Sequence, residues 1–179
     1  MRQLIGSVLL LAAVGLVPAD LAAQRRAAAR PAAAKQRPSF GLQLNWGSDT
    51  DVGIGGRVVF GLKAIAPRTP IDGIVSFDYY FPSAPSGVDV NFWEINANVG
   101  YRFTVPARSA VRPYAGAGLN IGHLSAGPSG GPSASDTKPG LNLLGGTTFK
   151  VKGSLTPFAE FRGVIGDFDQ VVLTGGVRF

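Results

Sequence analysis

His123 is the only histidine of this 179-residue chain, and it stands two positions before a hydroxyl in His123-Leu124-Ser125, with Asp136 further along. An imidazole that takes the proton of a serine, oriented by a carboxylate, makes a nucleophile. His123, Ser125 and Asp136 are therefore the candidate catalytic set. Glu94 and Glu160 are a second arrangement with chemical potential, as paired carboxylates for acid and base work. They share a face of the chain's alternating pattern with Arg57, Arg102, Arg162 and Arg178, so their types and spacing point to ion pairs instead. For the first set, a histidine beside a loop serine is the plainer reading, because sequence order does not make a triad. The chain has no Cys, and it carries no metal-ligand cluster, phosphate loop or other nucleophile motif. No cofactor, no metal and no enzymatic activity are expected.

The elements that must position these residues are strands. From Ser39 onward the chain breaks into eight alternating segments separated by Gly, Pro, Ser and Asp clusters. The first sets Phe40, Leu42, Leu44 and Trp46 against Gly41, Gln43 and Asn45. The second, Val52 to Lys63, sets Val52, Ile54, Val58, Phe60 and Leu62 against Gly53, Gly55, Arg57, Gly61 and Lys63. In the third, Ile71 to Phe81, Val75, Phe77, Tyr79 and Phe81 oppose Asp72, Ser76 and Asp78, with Ile74 and Tyr80 interrupting the polar set. The fourth, Trp93 to Phe103, is the cleanest alternation, with Glu94, Asn96, Asn98, Gly100 and Arg102 on its polar face. The fifth, sixth and seventh are Val111 to Gly122, Gly140 to Val151 and Leu155 to Ile165. The eighth, Gln170 to Phe179, sets Val171, Leu173, Gly175, Val177 and Phe179 on one face. Pro113 and Pro157 fall at strand starts, where proline is tolerated.

Strands of about 9 to 12 residues suit a tilted membrane crossing, which needs about 9 to 11. A soluble barrel would place the apolar face inward, and three features argue for the reverse. The polar face is rich in glycine, at positions 53, 55, 61, 100, 116, 118, 122, 146 and 176, which makes room in a narrow lumen for Arg57, Glu94, Arg102 and Arg162. The apolar face ends in aromatics, with Phe40, Phe60, Tyr101, Phe103, Phe149 and Phe179 toward one rim and Trp46, Tyr79, Phe81 and Trp93 toward the other. The connections also sort by side. With both termini periplasmic, Ala64 to Pro70, Thr104 to Ala110 and Lys152 to Ser154 are inner turns, while Pro82 to Val90 and His123 to Pro139 are the longer outer loops. Acidic residues Asp49, Asp51, Asp89, Asp136, Asp167 and Asp169 fall outside, where solvated turns are the plainer reading and divalent cations shared with lipopolysaccharide the alternative, and Lys63, Arg68, Arg108 and Lys152 fall at the inner rim.

Within the lumen a polar network of Arg57, Asp78, Glu94, Arg102, Glu160, Arg162 and Arg178 is expected. Pairing Lys63 with Asp72 puts Arg57 opposite Asp78, and pairing Phe81 with Asn91 brings Asp78 beside Glu94. Two adjacent carboxylates in a narrow lumen need a shared cation, and Arg57 is the expected one. Glu160 with Arg162 and Arg178 is the expected second cluster. Such clusters plug a barrel that is wide enough only for its own side chains.

The ends specify compartment. Arg2, the apolar run Leu4 to Val17 and the small residues Pro18 to Ala23 read as a Sec signal peptide over 1–23, with cleavage expected after Ala23 and Ala19 or Ala22 as the alternatives. Residues 24–38 are an Ala/Pro-rich linker carrying Arg25, Arg26, Arg30, Lys35 and Arg37. Most of the net charge of +6 lies there: residues 39–179 hold 11 Lys or Arg against 10 Asp or Glu, leaving +1. Nucleic-acid binding is a poor reading of such a tail.

The terminal set Val171, Leu173, Gly175, Val177 and Phe179 resembles the C-terminal signal of bacterial outer-membrane barrels, which the barrel-assembly machinery reads. Residues 39–179, and within them Arg112-Pro113-Tyr114-Ala115-Gly116-Ala117-Gly118, Gly140-Leu141-Asn142-Leu143 and Pro157-Phe158-Ala159-Glu160-Phe161-Arg162, resemble the small outer-membrane β-barrel superfamily. That group includes OmpX-like, OmpW-like, opacity-type and OmpA-transmembrane barrels. The resemblance implies an all-β, eight-stranded, antiparallel up-and-down transmembrane barrel in the outer membrane. It implies a monomer in contact with outer-membrane lipid and lipopolysaccharide, with a structural or surface-interaction role and a polar-plugged lumen. Some small barrels are lipid A deacylases with a His-x-Ser pair, which makes a lipid-modifying enzyme the alternative, alongside a narrow solute-passage barrel. Here the residue after Ser125 is Ala126 in place of the usual Asn, and the acid is at best Asp136 in place of Glu.

Overall fold

The computed structural model describes residues 37–179. The expected signal peptide, and the expected linker as far as residue 36, lie outside the described residues. The strands are β1 (Ser39–Gly47), β2 (Asp51–Gly61), β3 (Ile71–Tyr80), β4 (Val88–Arg102), β5 (Val111–Pro128), β6 (Ala134–Phe149), β7 (Thr156–Gly166) and β8 (Gln170–Arg178). Each pairs antiparallel with its neighbours in sequence, and β1 pairs with β8 to close the barrel. This is the eight-stranded up-and-down architecture that the alternation predicts. Phe179 continues the closing seam: its amide donates to the Phe40 carbonyl at 2.9 Å, and the Phe40 amide donates to the Phe179 carbonyl at 3.1 Å.

The alternation settles which face looks inward. Leu42, Leu44 and Leu119 are 62–64% exposed, whereas Asp78, Glu94 and Asn96 are fully buried. Apolar side chains thus cover the outside and polar ones fill the lumen, the inverse of a soluble barrel and the arrangement a bilayer requires. The aromatics expected at the rims fall near strand ends except Trp93, which stands opposite Tyr79 within the longer β4, and Tyr101 meets Phe103, as Tyr79 meets Phe81, edge to face at 5.3 Å. Ile74 and Tyr80, which interrupt the polar set of β3, are buried. Ile74 joins Val59, Tyr114 and Leu144 in a small apolar cluster inside the barrel.

Several lumenal glycines are clearances for aromatic rings as much as for the arginines expected from sequence. A Cβ on Gly146 would lie 2.6 Å from the Tyr114 hydroxyl, one on Gly53 2.7 Å from the Tyr80 ring, and one on Gly176 2.6 Å from the Phe158 ring. Gly55 leaves the space that the Asp78 carboxylate fills. Asp51, at the start of β2, has φ of 57°, a left-handed conformation that Asp accepts more readily than most residues.

The connections differ from expectation. His123 to Pro139 is not a long loop, because β5 runs to Pro128 and β6 starts at Ala134, with the ladder continuing to Ala126 opposite Ala134. β4 likewise starts at Val88 and pairs with β5 from there. The turns at this distal end are 48–50, 81–87, 129–133 and 167–169, and they are not longer than those at the terminal end, 62–70, 103–110 and 150–155. Backbone hydrogen bonds that a loop would leave to water are satisfied in a hairpin, so the chain zips on past the barrel wall. At 15, 18 and 16 residues, β4, β5 and β6 exceed the 9 to 11 a crossing needs. Their excess forms a three-stranded extension at the distal end.

An arginine at Leu44, on the apolar outer wall, is expected to destabilise the barrel by about 2–4 kcal/mol if that position lies near the bilayer midplane. Ile65→Arg, in the exposed 62–70 turn, is expected to change stability little. Urea unfolding in lipid vesicles measures both, and a neutral Leu44→Arg would refute a lipid-facing wall.

Candidate functional site

Because side chains of alternate residues point inward, each strand delivers polar groups to the lumen at a spacing of two. β1 delivers Gln43 and Asn45, β3 delivers Ser76 and Asp78, β4 delivers Glu94 and Asn96, and β7 delivers Glu160 and Arg162; all are buried. In the β3–β4 ladder Asp78 stands directly opposite Glu94. Arg162 reaches across the barrel to both: its Nη2 donates to Glu94 Oε1 and lies 3.6 Å from Asp78 Oδ2, while its Nη1 donates to Asn96 Oδ1. Asp78 is further satisfied by the Gln43 amide at 2.5 Å, Asn45 at 2.7 Å, Ser76 at 3.0 Å and Asn96 at 3.1 Å. Glu94 accepts from the Tyr80 hydroxyl at 2.9 Å and from Asn120 at 2.8 Å.

A second cluster sits toward the terminal end. Arg57 grips Glu160 with two donors at 3.0 Å each, the bidentate geometry in which guanidinium and carboxylate match. The Tyr114 hydroxyl donates to Glu160 at 2.6 Å, and the Arg57 guanidinium lies 4.1 Å from the centre of the Phe158 ring. Gln43 joins the clusters, accepting from Arg57 Nε and donating to Asp78.

The expected network therefore forms from different partners. The cation shared by Asp78 and Glu94 is Arg162, and Arg57 serves Glu160. The physical reason is register. The chain leaves β2 at Gly61, because the Leu62 carbonyl accepts from the amides of Ile65 and Ala66 in the turn. Asp72 consequently faces Gly61, not Lys63, and Arg57 faces Ser76, not Asp78. Arg102 lies apart from both clusters, its Nε 2.9 Å from Asp72 with its side chain 44% exposed. Arg178 does not reach Glu160; its Nε is buried with no partner among the described residues. Sequence reasoning places Gln43, Asn45, Tyr80, Asn96, Tyr114 and Asn142 on the polar face without assigning any of them to the network. Strand parity was the available signal for most of them.

The catalytic candidates are not brought together. His123 stacks on Trp93 at 4.9 Å and shares a 2.7 Å hydrogen bond through Nδ1 with Thr137. Ser125 is two residues along the same strand, about 6.6 Å away along the backbone. Asp136 pairs with Leu124 in the ladder, and so points to the opposite face from His123 and Ser125, where it meets Lys138 at 3.2 Å. Among the described residues no group of three or more His, Cys, Asp or Glu is placed to hold a metal ion.

Solved structures that share this fold include three outer-membrane proteins. The N-terminal β-barrel domain of OprF from Pseudomonas aeruginosa aligns with a TM-score of 0.60 at 16% identity, over 79% of this chain and 96% of that one. Neisserial surface protein A gives 0.57 at 23% identity, over 79% and 94%. Ail, the attachment invasion locus protein of Yersinia pestis, gives 0.53 at 18% identity, over 79% and 96%. No protein-family model and no curated protein sequence matches the chain. The shared architecture is that of small eight-stranded outer-membrane barrels.

Arg162→Ala is expected to cost about 3–5 kcal/mol, since it strands two adjacent buried carboxylates, and Arg57→Ala to cost a similar amount through Glu160. Urea titrations in vesicles check both. Substituting alanine for His123, Ser125 or Asp136 is expected to leave lipid A acylation, read by mass spectrometry of cells expressing the protein, unchanged. Acylation that changes with the protein and reverts with any of these substitutions would revive a catalytic reading.

Proposed function

We propose that this protein is a non-catalytic outer-membrane barrel: a rigid, polar-plugged anchor whose distal β4–β5–β6 extension meets partners outside the cell. The observation that carries the reading is the lumen itself. Arg162, Asp78, Glu94 and Asn96 meet across the barrel at 0–2% exposure, and an eight-stranded barrel is just wide enough for such side chains. Asn142 extends this layer, donating to Asn96 and Asn98 at 2.9 Å each. A water path would have to displace bonds made to buried charges.

The extension supports the surface role, because it is rigid paired sheet and ends in the turn 129–133. In this reading the apolar wall contacts outer-membrane lipid and lipopolysaccharide, the barrel works as a monomer, and Phe179 is read during assembly. The separation of Asp136 from His123 and Ser125 leaves the deacylase alternative without geometric support.

Purified protein in planar bilayers is expected to show no large, steady single-channel current, and such a current would move solute passage to first place. Deleting Phe179 is expected to lower the amount of folded barrel in the membrane while leaving export intact, scored by heat-shifted mobility of membrane fractions.

A further inference from the structure

At the end of the barrel that holds the C terminus, beyond the Arg57–Glu160 pair, the lumen opens into a cavity of about 260 Å3. Val59, Ile74 and Phe158 give it apolar surface, and its charged lining is Arg37, Arg57, Arg102, Arg112, Arg178 and Asp72. With Glu160 bound to Arg57 behind the wall, five guanidiniums meet two carboxylates, a local balance of 5 − 2 = +3. Two of the cations are already committed, Arg57 to Glu160 and Arg102 to Asp72. Arg112 and Arg178 form no ion pair among the described residues.

Two atoms here are buried without a hydrogen-bond partner: Arg178 Nε, a donor, and Asp72 Oδ1, an acceptor. Leaving either group unsatisfied is costly. A ligand that answers both must offer acceptor oxygens to guanidinium groups and one hydroxyl donor to a carboxylate. A phosphate monoester or inorganic phosphate does this, since its P–OH donates to Asp72 while its other oxygens take the arginine donors. Sulfate matches the size and charge but has no proton to give.

We propose that this terminal cavity is a binding site for a phosphate group carrying a P–OH, held by Arg178 and Arg112 and discriminated by Asp72. The phosphate arrives either free or as the headgroup of a phosphatidic acid in the inner leaflet. The three residues that would hold the phosphate, Arg178, Arg112 and Asp72, are not members of the Arg162 or Arg57 clusters.

The test uses the full chain folded in a non-ionic maltoside detergent, with arginine Nε–H resonances followed by NMR. Inorganic phosphate is expected to shift Arg178 Nε–H saturably, with sulfate at least about fivefold weaker. Arg178→Gln, followed through Arg112 Nε–H, is expected to weaken phosphate binding about tenfold, and Asp72→Asn to abolish the preference over sulfate. Lys138→Gln, at the far end, serves as control, and heat-shifted mobility verifies that each variant is folded. In a second arm, phosphatidylcholine bilayers, whose phosphodiester has no P–OH, with and without phosphatidic acid in phosphate-free buffer separate the sources. A shift with phosphatidic acid alone assigns the site to the lipid, and a shift with free phosphate alone assigns it to a soluble ligand. Absence of a shift in both arms, equal response to sulfate and phosphate, or binding unchanged by Arg178→Gln overturns the proposal.

Discussion

Asp78 and Glu94 face each other across one rung of the β3–β4 ladder, fully buried, and the interior of this barrel depends on how that juxtaposition is neutralised. Two like charges at adjacent positions in a lumen without bulk water repel and lose solvation together. Arg162 comes from β7, on the other side of the barrel, and its guanidinium serves both carboxylates and Asn96. Such a contact is possible only if β3, β4 and β7 hold one relative height. The ion pair therefore acts on register, because a slip of one residue would turn these charges toward lipid.

The second cluster repeats this logic with one acid and one base. Glu160 is answered by Arg57 in bidentate fashion and by the Tyr114 hydroxyl, and Gln43 hands the network from one cluster to the other. In a low-dielectric interior such chains are coupled, so substitutions at Arg57 and Arg162 need not add. The glycines are part of the same arrangement. Tyr80 and Tyr114 fit only because Gly53 and Gly146 present no side chain, and the hydroxyls of those two tyrosines are donors to Glu94 and Glu160.

How much of this was legible follows from what each signal measures. Alternation reports which face a residue is on, and it assigned Arg57, Asp78, Glu94, Glu160 and Arg162 to one face from sequence alone. It does not report height in the barrel, which depends on where each turn begins. The Asp78–Glu94 rung follows from pairing Phe81 with Asn91, and the structure has that register. The β2–β3 register was displaced by two, because nothing in Leu62-Lys63-Ala64 announces that the Leu62 carbonyl already belongs to the turn. The residue types of the distal hairpin point to a loop for a related reason. Ser125 to Pro139 is dominated by Gly, Ser and Pro, residues that usually mark loops, yet here the ladder continues through them. Contacts across the lumen, such as Arg162 with Glu94 68 positions away, leave no local trace in the chain.

The two ends of the lumen are built differently. At the distal end Phe92 meets Tyr80 at 5.6 Å and Phe168 at 5.8 Å, so aromatic rings cover the charge network from the side of the extension. At the terminal end the Phe158 ring lies against the Arg57 guanidinium at 4.1 Å, and beyond it the apolar surface of Val59, Ile74 and Phe158 gives way to arginines around an open cavity. A distal partner therefore meets paired backbone and loop side chains but no route to the charges inside. A small anion on the terminal side meets a cavity whose charge has the opposite sign and whose buried donor and acceptor are both unsatisfied. The two proposed binding sites therefore lie at opposite ends of the barrel axis, with the Arg162 and Arg57 clusters as the partition between them.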